Sequence, residues 1–124
     1  MPAKQLPGNV APSLAPYYVK RVEAYIADHA HLPITVVELA RYAGVSKRAL
    51  YSGFRNFRQS SPMLHLKEVR LQRAREDLLN AQQGERVTTI AMRWGFNHLG
   101  NFTADYKRKY GEQPSHTLRR LRMH

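Results

Sequence analysis

The fold is indicated most clearly by two matching stretches, LARYAGV at residues 39–45 and IAMRWGF at residues 90–96. In each stretch an alanine stands second and a glycine stands next to last. The alanine suits a close crossing of two helices, and the glycine suits the positive φ that a tight turn between helices often requires. The two glycines, Gly44 and Gly95, are 51 residues apart. Both copies continue to a proline downstream, and together they predict two helix-turn-helix units in one chain.

Start and stop signals divide the chain into about seven helices. Thr35 and Glu38 form a capping box, Ser46 can cap the following helix, and Ser61-Pro62 begins another. The helices are predicted at 17–30, 36–43, 47–59 and 62–80, from Val87 to a stop at Gly95, from Asn97 or His98 to 110, and from Pro114 onward. Apolar spacing predicts that the buried residues include Leu50, Phe54, Phe57, Val69, Phe102 and Tyr106.

The helix at 62–80 is long enough to join two DNA-reading units. At 1.5 Å per residue it spans roughly 28 Å, which approaches one turn of B-DNA at about 34 Å. One chain can then serve two successive major grooves, so its site need not be palindromic. The sequence predicts an all-α fold of homeodomain-like units, with a first helix-turn-helix subdomain at 17–60, a connecting helix at 61–81 and a second subdomain at 82–124.

The N-terminal segment differs from the rest in composition. Residues 1–16 contain four of the seven prolines and therefore predict a linker or a disordered segment. A linker implies a further domain upstream, although a frayed terminus would have the same composition.

The chain is strongly basic, with 20 Lys and Arg against 9 Asp and Glu and a net charge of +11. This excess favours a polyanionic partner, with nucleic acid the default, over a generic solvated basic surface. There is no cysteine, which excludes disulfide scaffolds and cysteine-ligated metals. The sequence shows neither an apolar run long enough to span a membrane nor a signal-peptide core, and we expect a cytoplasmic protein associated with the nucleoid.

The sequence carries no pattern typical of catalysis. Its six histidines include no H-x-x-x-H pair, and it has neither a phosphate-cradling glycine-rich loop nor a nucleophile elbow. We therefore predict that it is not an enzyme and binds no metal and no cofactor.

The sequence resembles the DNA-binding domain of the AraC/XylS family of bacterial transcription regulators over about residues 17–122. The resemblance is carried by ITVVELARYAGVSKRALYSGFR, SPMLHLKEVRLQRAREDLL and VTTIAMRWGFNHLGNFTADYKRKYGEQPS. The most specific marker lies in the last stretch, at Ile90-Ala91, Gly95-Phe96, Phe102, Tyr106, Gly111 and Pro114.

The resemblance implies a protein that binds double-stranded DNA at two successive major grooves and activates transcription. Most members carry an N-terminal domain that senses a small molecule, so this chain is expected to be the C-terminal DNA-binding domain of a longer effector-responsive regulator. We expect it to be monomeric by itself and dimeric in a full-length protein, with RNA polymerase as a further partner and no membrane contact. The alternatives are a stand-alone activator with two helix-turn-helix units and a non-specific basic nucleic-acid-binding protein.

The resemblance places DNA contacts on the second helix of each unit, and the predicted exposed face of 47–59 selects the same residues. Predicted base contacts are Arg48, Tyr51, Ser52, His98, Leu99 and Thr103. Predicted phosphate contacts are Lys47, Arg55, Arg58, Arg93, Asn101, Lys107 and Lys109. Arg48 suits guanine O6 and N7, with a phosphate contact as the alternative. Leu99 and Thr103 suit thymine methyl groups, and His98 suits a base or a phosphate.

Two residues depart from good helix design in the first unit. Gln59 stands where the family usually has the glycine that ends the helix, so it must avoid positive φ or accept a cost of about 1–2 kcal/mol. Gly53 lies inside the same helix, which costs about 1 kcal/mol relative to alanine unless a neighbour approaches closely. On the connecting helix, Arg70 matches an arginine that recurs in the family, and we expect a structural role for it.

Overall fold

The structure is a computed structural model that describes residues 15–122 and contains seven α-helices and no β-strand within that range. The helices are α1 Tyr17–His29, α2 Val36–Ala43, α3 Lys47–Arg58, α4 Pro62–Leu79, α5 Val87–Arg93, α6 Leu99–Tyr110 and α7 Pro114–Arg122. The predicted all-α class is confirmed, while nearly all of the predicted linker lies outside the described residues. None of these helices is both long and apolar enough to cross a bilayer.

The chain divides into two compact units. Unit 1 comprises the described residues through His29 together with 34–67, and unit 2 comprises 30–33 and the residues from Glu68 onward. The division falls inside α4, whose 18 residues contribute to both units. The separate connecting role of 61–81 stays a prediction.

The core of unit 1 forms where α1, α2 and α3 meet. One stripe of α1, Val19, Val22 and Ile26, is fully buried, as its helical spacing predicts. Leu50 and Phe54 fill the same role on α3 and are also fully buried. The predicted inner residue Phe57 is only half-buried and lies in the last turn of α3, which ends at Arg58. Val69 on α4 is likewise half-buried. The residues of α4 that contribute to the core of unit 2 are Leu71, Ala74 and Leu78.

Both ends of α2 follow their sequence signals closely. The backbone N–H of Glu38 donates to Thr35 Oγ1 at 3.2 Å, and the Thr35 N–H donates back to Glu38 Oε1 at 3.0 Å. This reciprocal box satisfies two donors that the first turn of a helix leaves unpaired. Gly44 ends α2 at φ +75°, the left-handed conformation that glycine adopts without steric cost.

Unit 2 has a core of its own, formed by apolar side chains from four helices. These are Leu71, Ala74 and Leu78 on α4, Ile90 and Ala91 on α5, Phe102 and Tyr106 on α6, and Leu118 on α7. Ala40 and Ala91, the alanines of the two matching stretches, are both buried, as a close helix crossing requires.

The buried hydroxyl of Tyr106 is fully hydrogen-bonded in a network with α4 and α7. It shares a hydrogen bond with Thr117 Oγ1 at 2.8 Å and accepts one from Arg75 at 3.2 Å. Thr117 Oγ1 in turn donates to the Glu112 carboxylate, and this hydrogen bond is the main cause that lowers the pKa of Glu112. The network fixes α7 to α6 without leaving a buried polar group unpaired.

Candidate nucleic-acid interface

The helices α3 and α6 are equal in length and are ended in the same way. Each has 12 residues, begins after a side-chain N-cap and ends at a residue in the left-handed conformation. The N-caps Ser46 and His98 are 52 residues apart, and so are the C-caps Gln59 and Gly111. The two helices are therefore in register at an offset of 52 along their whole length.

Counted from the turn glycine to the N-cap, the segment that precedes α6 is one residue longer than the segment that precedes α3. Gly44 and Gly95 are only 51 residues apart, although the following N-caps are 52 apart. The added residue lies in the segment between Gly95 and His98. Because it precedes the cap, the order of buried and exposed positions along α6 still matches the order along α3.

One face of α3 is polar and faces solvent. Arg48, Tyr51, Ser52 and Arg55 follow the spacing i, i+3, i+4 and i+7, which is one stripe of a helix. Arg48, Tyr51 and Arg55 are exposed, and Ser52 is half-buried and accepts a 3.4 Å hydrogen bond from the side-chain amide of Asn56. Lys47 is exposed at the start of the helix. The structure thus brings together every predicted contact of α3 except Arg58.

The corresponding stripe of α6 is shorter and less polar. At the same offset it consists of Gly100, Thr103, Ala104 and Lys107. Thr103 is half-buried and Lys107 is exposed. Exposed Leu99 stands where α3 has Lys47, so the first turn of α6 offers an apolar side chain in place of a cation. Asn101 and Lys109 are exposed as well, with Lys109 Nζ 5.7 Å from the centre of the Tyr110 ring.

Arg58 is held by an ion pair inside unit 1. Its Nε donates to Glu23 Oε2 at 2.5 Å and its Nη2 donates to Glu23 Oε1 at 3.0 Å. These two parallel bonds raise the pKa of Arg58 and fix the guanidinium against α1.

Arg93 is held in the same manner inside unit 2. It donates to Asp77 and to Glu85, each at 2.8 Å, and the two carboxylates raise its pKa, Glu85 most strongly. Asp77 also accepts a 2.7 Å hydrogen bond from the Trp94 indole N–H. Arg58 and Arg93, both predicted phosphate contacts, therefore face carboxylates of the protein itself.

Arg70 of α4 is hydrogen-bonded to the segment that follows α1 and lies close to Gly95 in the turn before α6. It donates to the carbonyl oxygens of Ala30 and Leu32, each at 2.7 Å, and burial lowers its pKa. A Cβ on Gly95 would lie 3.0 Å from the Arg70 guanidinium carbon. Gly95 thus provides both positive φ, at +88°, and the space for this arginine. The sequence suggested a structural role for Arg70, but its partners lie 38 and 40 residues away and no local pattern reveals them.

A small apolar concavity lies where α5 approaches the start of α6. It has a volume of about 70 Å³ and is lined by Thr88, Ala91, Met92, Phe96, Asn97 and Leu99. Met92 is 69% exposed and Leu99 is 44% exposed, so both present apolar surface beside the first turn of α6. Sequence reasoning selected Leu99 and missed Met92, because a single exposed methionine has no distinguishing pattern.

Metal binding finds no support in the part of the chain that the structure describes. There, no three His, Asp or Glu side chains are grouped so that they could hold an ion.

Comparison with known proteins identifies the same architecture. A family model described as a helix-turn-helix domain matches residues 39–120. The probable thc operon regulatory protein of Rhodococcus erythropolis is 47% identical over 105 residues, which are 84% of this chain and 32% of that protein. The XylDLEGF operon transcriptional activator 2 of Pseudomonas putida is 34% identical over 100 residues, which are 80% of this chain and 64% of that protein. The chain thus spans about a third of the first relative and less than two thirds of the second.

Solved structures agree with these sequence matches. A probable AraC family transcriptional regulator from Rhodopseudomonas palustris CGA009 superposes with a TM-score of 0.82 at 39% identity, covering 86% of this chain and 98% of that one. The DNA-binding domain of AdpA, a global transcriptional factor solved in complex with a target DNA, gives a TM-score of 0.76 at 26% identity, covering 85% and 93%. With its two helix-turn-helix units, its matched family model and these relatives, the chain belongs to the AraC-type helix-turn-helix family of transcription regulators.

Proposed function

We propose that the chain binds specific sequences of double-stranded DNA through α3 and α6 and thereby activates transcription. The observation that carries the proposal is the matched register of these two helices, each with 12 residues and an exposed stripe on the side opposite its buried one. A chain of net charge +11 suits a polyanionic ligand.

On α3, the exposed stripe supplies both base-reading and phosphate-binding groups. Arg48 donates to guanine O6 and N7, and Tyr51 and Ser52 contact neighbouring base edges. Lys47 and Arg55, exposed at the start of the helix and at the far end of its stripe, bind phosphates.

On α6, readout relies more on apolar contact. Leu99 and Thr103 pack on thymine methyl groups, since neither carries a long hydrogen-bond donor. Asn101, Lys107 and Lys109 are exposed and bind phosphates. His98 contacts a base at the start of the helix.

For Arg58 and Arg93 we propose a structural role in place of the phosphate contact that the sequence suggests. Each is held by hydrogen bonds to carboxylates, Arg58 by Glu23 and Arg93 by Asp77 and Glu85. To bind a phosphate, either arginine would have to leave its carboxylate unpaired near a polyanion, which electrostatics disfavours.

For the whole protein, we propose that this chain is the DNA-binding domain of a longer effector-responsive regulator in the cytoplasm. The support is that one relative, named as an operon regulatory protein, is about three times as long as the matched segment. We further propose that the domain alone is monomeric, that dimerisation depends on the remainder of the protein, and that RNA polymerase is its partner at the promoter. Another relative is named as a transcriptional activator, which supports this sign of regulation.

Selection of bound sequences from a pool of random duplex DNA tests the proposal. We expect a single enriched motif, bound more tightly than duplex RNA of equal length or anionic vesicles at the same salt concentration. A matched control is Arg119→Ala, which removes an exposed cation of α7 and should leave the motif unchanged. If duplexes, RNA and vesicles bind alike and no motif is enriched, the chain is a non-specific polyanion binder. A promoter bearing the motif, fused to a reporter, then tests activation.

A further inference from the structure

The N-cap of α6 is unusual because an imidazole provides it. The backbone N–H of Asn101 donates to His98 Nδ1 at 3.1 Å, just as the Ala49 N–H donates to Ser46 Oγ at 3.0 Å on α3. A ring nitrogen that accepts a hydrogen bond carries no proton. In the neutral imidazole the proton must therefore be on Nε2, so the cap fixes the tautomer and makes Nε2 a donor.

The ring of His98 lies close over Gly100. A Cβ built on Gly100 would lie 3.3 Å from His98 Cε1 and 3.5 Å from its Nδ1, so the ring lies over the place where a side chain would begin. At the offset of 52, Gly100 corresponds to Arg48, the long donor at the start of the α3 stripe. The imidazole of His98 thus lies beside the position that Arg48 has on the other recognition helix.

The donor at Nε2 is available to a ligand. His98 is exposed, and within residues 15–122 no group accepts a hydrogen bond from Nε2. In the major groove, guanine presents two adjacent acceptors, N7 and O6, and no donor. Adenine also presents N7 there, beside an amino donor, thymine presents O4 beside a methyl group, and cytosine presents an amino donor. A single outward donor at the start of a recognition helix therefore meets two acceptors, with no competing donor, only at guanine.

We propose that His98 reads a guanine in the DNA half-site of α6, donating from Nε2 to the N7 and O6 edge while Nδ1 caps the helix. This inference rests on the proposed function and assigns one base and one atom within it. Gly100 leaves room for the ring. It has no side chain that could donate as Arg48 does on α3, and the neighbouring imidazole provides the donor instead.

Substitutions at His98 separate capping from reading. His98→Ser keeps an N-cap of the kind that Ser46 provides, yet removes the ring donor, whereas His98→Ala removes both. We expect the serine variant to retain the melting temperature of the parent chain and the alanine variant to melt lower. Both should lose the same base preference.

The DNA probe is the motif selected by the parent chain, with its guanines replaced singly. 7-Deazaguanine replaces N7 with a C–H group, and inosine keeps both N7 and O6. At one guanine we expect 7-deazaguanine to weaken binding of the parent chain about 3- to 10-fold, with inosine neutral. Neither base should change binding of His98→Ser at that position.

The outcomes distinguish this inference from the function on which it rests. If the parent chain selects a motif and His98→Ser responds to 7-deazaguanine as the parent does, His98 is a cap only and the inference is wrong. If His98→Ser weakens all duplexes equally, His98 binds a phosphate and the inference is also wrong. If the parent chain selects no motif, the proposed function itself fails and takes this inference with it.

Discussion

At the scale of single residues, some arginines and lysines are exposed to solvent, whereas others are already bound to carboxylates of the protein. Arg48 and Lys107 are exposed, whereas Arg58 and Arg93 donate to carboxylates. Composition and helical spacing predicted which residues are exposed on α3, since that information is local. They did not predict the pairing of Arg58, because Glu23 lies 35 residues away and on another helix. Pairs of this kind depend on tertiary packing, which a single sequence does not display.

Alanine substitutions of Arg48 and Lys107 should change DNA binding in two different ways, one in base preference and the other in overall affinity. Arg48→Ala should cost about 1–3 kcal/mol on the selected motif and relax the preference at one base position, because a base contact is lost. Lys107→Ala should weaken binding to all duplexes about equally and lower the salt slope by roughly one. Profiles of selected sites for both variants beside the parent chain measure this. If Lys107→Ala changes the base preference and Arg48→Ala changes only the overall affinity, the two assignments are reversed.

Gln59 adopts the strained positive φ that its place at the end of α3 made one of the two expected outcomes. It ends α3 at φ 48° and is the one residue besides glycine with positive φ between residues 15 and 122. Gln59→Gly should raise the free energy of unfolding by about 1 kcal/mol, since glycine adopts this conformation without the steric penalty of a Cβ. Chemical denaturation measures the change. The matched control is Gly111→Gln at the same position of α6, where φ is +77° and the substitution should destabilise. If both changes have the same sign, backbone conformation is not the cause.

At the scale of helices, the capping residues in the sequence predicted where the helices begin and end, but they did not predict how the helices pack. The box at Thr35 and the stop at Gly44 use neighbours within four residues, so the sequence alone predicted them correctly. The hydrogen bonds of Arg70 to the carbonyl oxygens of Ala30 and Leu32 join residues far apart in the chain, and only its likeness to a recurrent family arginine suggested a role.

Gly53 shows how packing between helices overrides helix propensity. A Cβ at this position would lie 2.8 Å from Tyr18 Cε1 and 2.9 Å from Val19 Cγ2. Val19 is fully buried on α1 and has no room to retreat. Overpacking of about 1–3 kcal/mol should therefore exceed the gain of about 1 kcal/mol in helix propensity, and Gly53→Ala should lower stability.

The control for Gly53 is the other glycine inside a recognition helix. At Gly100 the nearest atom to an added Cβ is 3.3 Å away, on the ring of exposed His98, which has room to shift. Gly100→Ala should leave stability unchanged or raise it by up to about 1 kcal/mol. The melting temperatures of both variants test these expectations. If Gly53→Ala melts at the temperature of the parent chain, α1 and α3 can move apart without an energetic cost and the prediction is wrong.

At the scale of the whole molecule, the charge that is free to meet DNA is smaller than the net charge of +11. Four exposed cations remain among the proposed phosphate contacts, namely Lys47, Arg55, Lys107 and Lys109. With a slope near −0.9 per phosphate, affinity should fall on the order of 10²–10³ between about 50 and 200 mM salt. Titrations of the selected duplex at several salt concentrations check this. Arg119→Ala should keep the slope of the parent chain, and a flat response would remove the electrostatic basis of the proposal.

The equal length of α3 and α6 between their caps gives the two helices a common frame. The longer second turn accommodates its additional residue before His98, so the segment from Ser46 to Gln59 has the same length and helical phase as the segment from His98 to Gly111. An insertion inside either helix would instead turn every following side chain by about 100° and carry the reading stripe into the core. The common frame lets the side chains of one reading stripe be grafted position by position onto the other helix, while that helix keeps its own buried residues such as Tyr106.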